Sequence, residues 1–108
     1  MHALVVTTTV PSQDLAERIA GEAITEHLAA CAQIAGPITS IYRWQGKVER
    51  ATEWCCTLKT TPGCYAALEA RIKSLHPYEV PEIVATPVTH GSPPYLTWIQ
   101  EQLGANRP

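Results

Sequence analysis

The chain has 108 residues, 45% of them hydrophobic and 17% charged, with a formal net charge of −2. That is enough chain for one domain with a modest core, spanning 1–108, and the charge offers no basic footprint for a nucleic-acid partner. No apolar run approaches the roughly 20 residues of a membrane helix, and Met1-His2-Ala3 puts no charged segment ahead of its apolar stretch, so a cytoplasmic protein is expected.

Ala3 to Thr9 is rich in β-branched residues and closes at Val10-Pro11, which predicts a first strand. Ser12 then caps a helix expected to run to about Leu28. Ala16, Ile19, Ala20, Ala23, Ile24 and Leu28 form its apolar face, with Glu17, Arg18, Glu22 and Glu26 off it. Cys31 to Trp44 and Lys47 to Thr60 are two strands of a long hairpin turning at Gln45-Gly46, where Gly46 supplies a positive φ. Gly36-Pro37 interrupts the first arm and predicts a bulge or bend.

Thr61-Pro62 opens a second helix with Tyr65, Leu68, Ile72 and Leu75 on its apolar face, and Pro77 stops it. Ile83 to Val88 is a fourth strand, and Pro87 assigns it to a sheet edge or a bulge. Ser92-Pro93 starts a short third helix with Leu96, Ile99 and Leu103 inward, ending at Gly104. The order βαββαβ plus a terminal helix predicts an α+β, ferredoxin-like sandwich, with both long helices on one face of a four-stranded sheet. The first strand is apolar on both faces and the hairpin arms end in Tyr42 and Trp44, so self-association through the sheet is expected.

The four cysteines, Cys31, Cys55, Cys56 and Cys64, form no C-x-x-C pair and no structural zinc spacing. Cys55 and Cys56 are adjacent in a strand and point to opposite faces. Reduced, packed thiols are the expectation.

Chemistry concentrates between Leu75 and Ile83, where two prolines hold the backbone extended around His76, Tyr78, Glu79 and Glu82. His76 is either a histidine at the negative end of a helix dipole or a metal ligand. Glu79 and Glu82 are hard oxygen ligands or solvated carboxylates flanking a turn. Lys59 either pairs with Glu49 or Glu53 or binds an anion. Tyr78 and Trp44 are candidate cleft walls, His90 before Gly91 is a turn histidine, and His2 and His27 face solvent. No G-x-S-x-G elbow, phosphate-cradling loop or paired Cys/His signature is present, so no catalysis is expected.

Several segments carry a family likeness in register. They are Leu28-Ala29-Ala30-Cys31-Ala32, Ser40-Ile41-Tyr42-Arg43-Trp44-Gln45-Gly46-Lys47, Leu58-Lys59-Thr60, His76-Pro77-Tyr78-Glu79-Val80-Pro81-Glu82, Pro87-Val88-Thr89-His90-Gly91 and Tyr95-Leu96-Thr97-Trp98. Together they resemble the CutA divalent-cation tolerance family across essentially the whole chain. The resemblance implies a ferredoxin-like subunit in a tight homotrimer, similar to the PII signalling proteins, with a link to copper and other divalent cations.

The family's bacterial copper pattern uses a cysteine at the end of the first strand and two consecutive histidines before Pro-Tyr. Thr8 and Leu75 stand at two of those positions and only His76 carries over. A hydroxyl is a poor replacement for a soft thiolate, so Cu(II) or another divalent cation is expected to bind weakly, with Glu79 or Glu82 or a second subunit completing the site. Two functions follow as expectations. One is a copper-binding metal-tolerance homotrimer. The other is a PII-like module holding a small, anionic ligand in inter-subunit clefts, for which Trp44, Glu49, Lys59, Tyr78 and His90 are the candidate lining.

Overall fold

In the computed structural model, which describes residues 3–104, the order is β1 (Ala3–Val10), α1 (Gln13–Thr25), β2 (Cys31–Trp44), β3 (Lys47–Thr60), α2 (Pro62–Leu75), β4 (Ile83–Val88) and α3 (Pro93–Gln102). The four strands form one antiparallel sheet in the order β2-β3-β1-β4. This is the split arrangement expected from the sequence, with β3 inserted between β2 and β1. Pro87 lies on β4, an edge strand, where a missing backbone donor is tolerated.

Alternation sorts each strand between two faces. Val6, Thr8 and Val10 of β1 pair with Leu58, Cys56 and Trp54 of β3. They pack with Ala16, Ile19 and Ala23 of α1 and Leu68 and Ile72 of α2 in the main core. The opposite face carries Val5, Thr7 and Thr9 beside Lys59, Thr57 and Cys55. Among the described residues only its lower end is covered, where Ile99 and Leu96 of α3 pack with Ala3, Ala30 and Val88. Arg71 of α2 ties the two long helices together through ion pairs to Glu22 and Glu26 of α1.

The first helix ends earlier than the sequence suggests. Ser12 caps it as expected, its hydroxyl accepting from the Leu15 N–H at 3.2 Å, but His27 adopts φ 59° and closes the helix at Thr25. The Leu28 N–H donates to the Ala23 carbonyl at 2.9 Å and the His27 N–H to that of Ile24 at 3.1 Å, the bonding of a left-handed helix stop. Ile24, expected on the apolar face, is therefore exposed, whereas Leu28 is buried from outside the helix. His27 faces solvent as expected, with its Nδ1 at 3.0 Å from the Gln102 carbonyl. His2 lies outside the described residues.

The hairpin turn uses positive φ at two residues, Gln45 (50°) and Gly46 (78°), joining Trp44 to its partner Lys47. Two such residues in a two-residue loop match the right-handed strand twist. The predicted irregularity at Gly36-Pro37 is a bulge: register shifts between Ala35 and Ile38. A 14-residue arm at about 3.3 Å per residue extends roughly 46 Å, and the molecule's longest dimension is 44 Å.

Candidate functional site

Where α2 ends, Pro77 prevents its continuation and the chain is pinned by His76. The Tyr78 backbone N–H donates to His76 Nδ1 at 3.2 Å, which leaves the ring proton on Nε2. Nε2 then donates to the Thr9 carbonyl at the end of β1, at 2.8 Å. Both ring nitrogens are thus engaged. The imidazole fixes the loop to the sheet, and a metal at Nδ1 displaces the Tyr78 N–H before it can bind.

Tyr78 continues the strap. Its ring lies 4.7 Å from that of His76 at 54°, and its hydroxyl donates to Glu53 Oε2 at 2.7 Å. Burial, followed by the Glu53 carboxylate beside it, pushes the phenol well above the usual tyrosine range, so Tyr78 stays a hydrogen-bond donor. Glu53 is only 5% exposed. It lies on β3 opposite Ile38, on the face turned away from α1 and α2.

A cleft of about 590 Å³ opens here, between the hairpin and the loop that follows α2. Thr9, Ser40, Ile41, Tyr42 and Trp44 form one side of its lining and Tyr78, Glu79, Val80 and Glu82 the other, with Glu53 buried between them. That volume is in the range of small-molecule sites. Three carboxylates and no lysine, arginine or histidine line it, which makes it a poor setting for the small anion expected from the sequence.

The structure thus brings Trp44, Tyr78, Glu79 and Glu82 to one place, while His76 lies outside the lining and ties their loop to β1. It leaves the other three candidates apart. Lys59 donates to Gln33 Oε1 at 3.0 Å across the hairpin base, so within the chain its partner is an amide and neither Glu49 nor Glu53. Glu49 sits opposite Tyr42, toward the exposed end of the hairpin. His90 follows β4, with its Nδ1 3.2 Å from the Thr89 hydroxyl. Glu53, named from the sequence only as a partner for Lys59, is the lining residue missing from the expected cleft set. Its signal in the sequence is an acidic position directly before the run Trp54-Cys55-Cys56, where alternation passes into the core.

The two sequence positions that depart from the copper pattern are both packed. Thr8 is fully buried on the helix-covered face and its Oγ1 has no hydrogen-bond partner among the described residues. Leu75 packs against the main core. Among the described residues no three His, Cys, Asp or Glu side chains are grouped so as to hold a metal ion.

Strand order and the long hairpin define a ferredoxin-like α+β fold. The profile of the CutA1 divalent ion tolerance protein family matches residues 4–102. A divalent-cation tolerance protein CutA of Thermus thermophilus is 48% identical over 100 residues, covering 93% of this chain and 97% of that protein. The solved structure of a divalent cation tolerance protein from the same organism superposes with a TM-score of 0.92 at 47% identity, covering 94% of this chain and 99% of that one. CutA1 from Oryza sativa superposes with a TM-score of 0.93 at 37% identity, covering 97% and 96%. The chain belongs to the CutA divalent-cation tolerance family.

Proposed function

We propose that this protein acts in divalent-cation tolerance as a non-catalytic cytoplasmic homotrimer that binds its ligand in the cleft beside the hairpin. The observation that carries this reading is the family match over residues 4–102, beside a 590 Å³ cleft whose lining includes Glu53, Glu79 and Glu82. Carboxylates are ligands for hard divalent cations. Copper is bound weakly, because His76 offers a nitrogen only by giving up a hydrogen bond and Thr8 supplies no thiolate. A neighbouring subunit completes the coordination. None of the four cysteines is in a disulfide among the described residues, in keeping with a reducing compartment.

Calorimetry with copper(II) on wild type, His76→Ala and the double variant Thr8→Cys/Leu75→His tests the metal reading. His76→Ala weakens binding, and the double variant tightens it more than tenfold, about 1.4 kcal/mol. Equal copper affinity in all three proteins refutes a site built on His76.

A second reading is a PII-like module for a small organic ligand. The aromatic walls of the cleft, Tyr42, Trp44 and Tyr78, favour it, since a bare metal ion has no use for rings while organic ligands bury against them.

A further inference from the structure

The hairpin arm outruns the sheet that carries it. β1 ends at Val10, opposite Trp54, and past that point β3 pairs, among the described residues, with β2 alone. Residues 38–44 and 47–53 therefore form a two-stranded ribbon with no third strand beside it. Such a ribbon is marginal by itself in water and twists readily, so the direction in which it leaves the body is set by contacts at its root.

Two contacts meet there, one on each face. On the helix-covered face Trp54 packs against the main core and on the backbone of Gly36, at the β2 bulge. On the other face Glu53, the first β3 residue beyond the end of β1, is 5% exposed and accepts from the Tyr78 hydroxyl at 2.7 Å. An ionised acceptor makes the stronger kind of hydrogen bond, and burial shields it from competing water.

Tyr78 is itself held. His76 accepts from its backbone N–H at 3.2 Å and donates through Nε2 to the Thr9 carbonyl at 2.8 Å. The two rings lie 4.7 Å apart, and Pro77 and Pro81 restrict the backbone on either side. The segment thus crosses from Thr9 on β1 to Glu53 on β3, over the step where the third strand stops. Beyond that step the arm carries the exposed side chains Ile41, Tyr42, Trp44 and Val48. An arm already fixed in its bound direction loses less freedom when a neighbouring copy covers those side chains.

We infer that residues 76–82 are a strap that fixes the angle of the hairpin arm for assembly, with the Tyr78–Glu53 hydrogen bond as its buckle. This goes beyond the ligand readings of the cleft, and it rests on the homotrimer reading for the arm's partner.

Amide hydrogen exchange on the full chain, beside light scattering over a dilution series, tests the strap. The proteins are wild type, Tyr78→Phe, Glu53→Gln, Glu53→Ala and the double variant Tyr78→Phe/Glu53→Ala. Tyr78→Phe speeds exchange in residues 38–44 and 47–53 about tenfold or more, leaves α1 and α2 within about twofold, and raises the concentration at which the assembly dissociates several-fold. Glu53→Gln keeps an acceptor for the hydroxyl and retains the wild-type exchange of the arm. Glu53→Ala matches Tyr78→Phe, and the double variant is no worse than either, because each breaks the same bond. Arm exchange unchanged in Tyr78→Phe overturns the inference. Faster exchange spread equally over α1 and α2 overturns it too, since that is general destabilisation. A looser arm with undiminished assembly also overturns it, while leaving the homotrimer standing. A wild type of monomer mass refutes the homotrimer instead, and arm exchange in Tyr78→Phe then upholds or overturns the strap.

Discussion

At the level of single residues, the chain carries one avoidable cost in its core. Thr8 Oγ1 is fully buried without a partner, and an unsatisfied buried hydroxyl costs about 1–3 kcal/mol. Thr8→Val keeps the branched shape and removes the polar atom, so it is expected to stabilise the protein by about 1 kcal/mol, read as a higher urea midpoint at unchanged slope. An unchanged or lower midpoint means the hydroxyl is satisfied. Cys56 gives a pH dependence. Burial, with Cys55 adding to it, pushes its thiol up to about 11, whereas an unfolded thiol ionises near 8.5. A value raised by folding contributes stability that is complete below about pH 8.5 and is lost as pH rises toward 11. Denaturation midpoints at pH 8 and pH 10.5 should therefore fall in wild type and fall less in Cys56→Ala. The residue scale is also where the sequence is least legible. His76 stands out as the one histidine in a stiff Pro-bounded loop, yet its use of both nitrogens depends on Thr9, 67 positions away. The burial of Glu53 likewise depends on a loop that reaches it across the sheet.

Elements are more legible, because their signals are local. Thr61-Pro62 and Pro77 bound α2, and the β4 proline marks an edge, as expected. The α1 terminus is not legible in the same way: nothing in the composition of Glu26-His27-Leu28 announces a left-handed residue, since His27 has neither the freedom of glycine nor the local bonding of asparagine. The bulge in β2 is foreseeable from Gly36-Pro37, but its reason is tertiary. A Cβ on Gly36 would clash with the Trp54 indole, so the ring packs directly on the glycine backbone. Trp54 in turn packs against the main core, which leaves it little room to yield. Gly36→Ala is expected to destabilise by about 1–3 kcal/mol through overpacking, with a lower thermal midpoint and a change in Trp fluorescence. Retention of wild-type stability shows that the indole moves aside freely.

On the scale of the whole molecule, one sheet face lacks a cover. Helices α1 and α2 bury Val6, Thr8 and Val10, but Val5, Thr7 and Thr9 turn to the other side, where α3 reaches only the end near Ala3. The hairpin tip repeats the pattern on both faces: Ile41 and Val48 are exposed on one, Tyr42 and Trp44 on the other. So much apolar surface on two continuous strands invites association or aggregation unless it is covered. A closed ring of copies covers it while leaving no open end. The homotrimer proposed here requires a mass near 35 kDa by light scattering, three times 11.8 kDa, at micromolar concentration. Val84 decides between the open face and other contacts. It lies beside Thr7 on that face and is 54% exposed in the isolated subunit, so Val84→Glu puts a charge where the neighbouring copy packs, yet leaves the subunit core untouched. The variant is expected to dissociate toward 11.8 kDa with its circular dichroism intact. A wild-type monomer refutes the trimer outright. A trimer that survives Val84→Glu places the interface elsewhere, on the hairpin tip, where Val48→Glu then dissociates it.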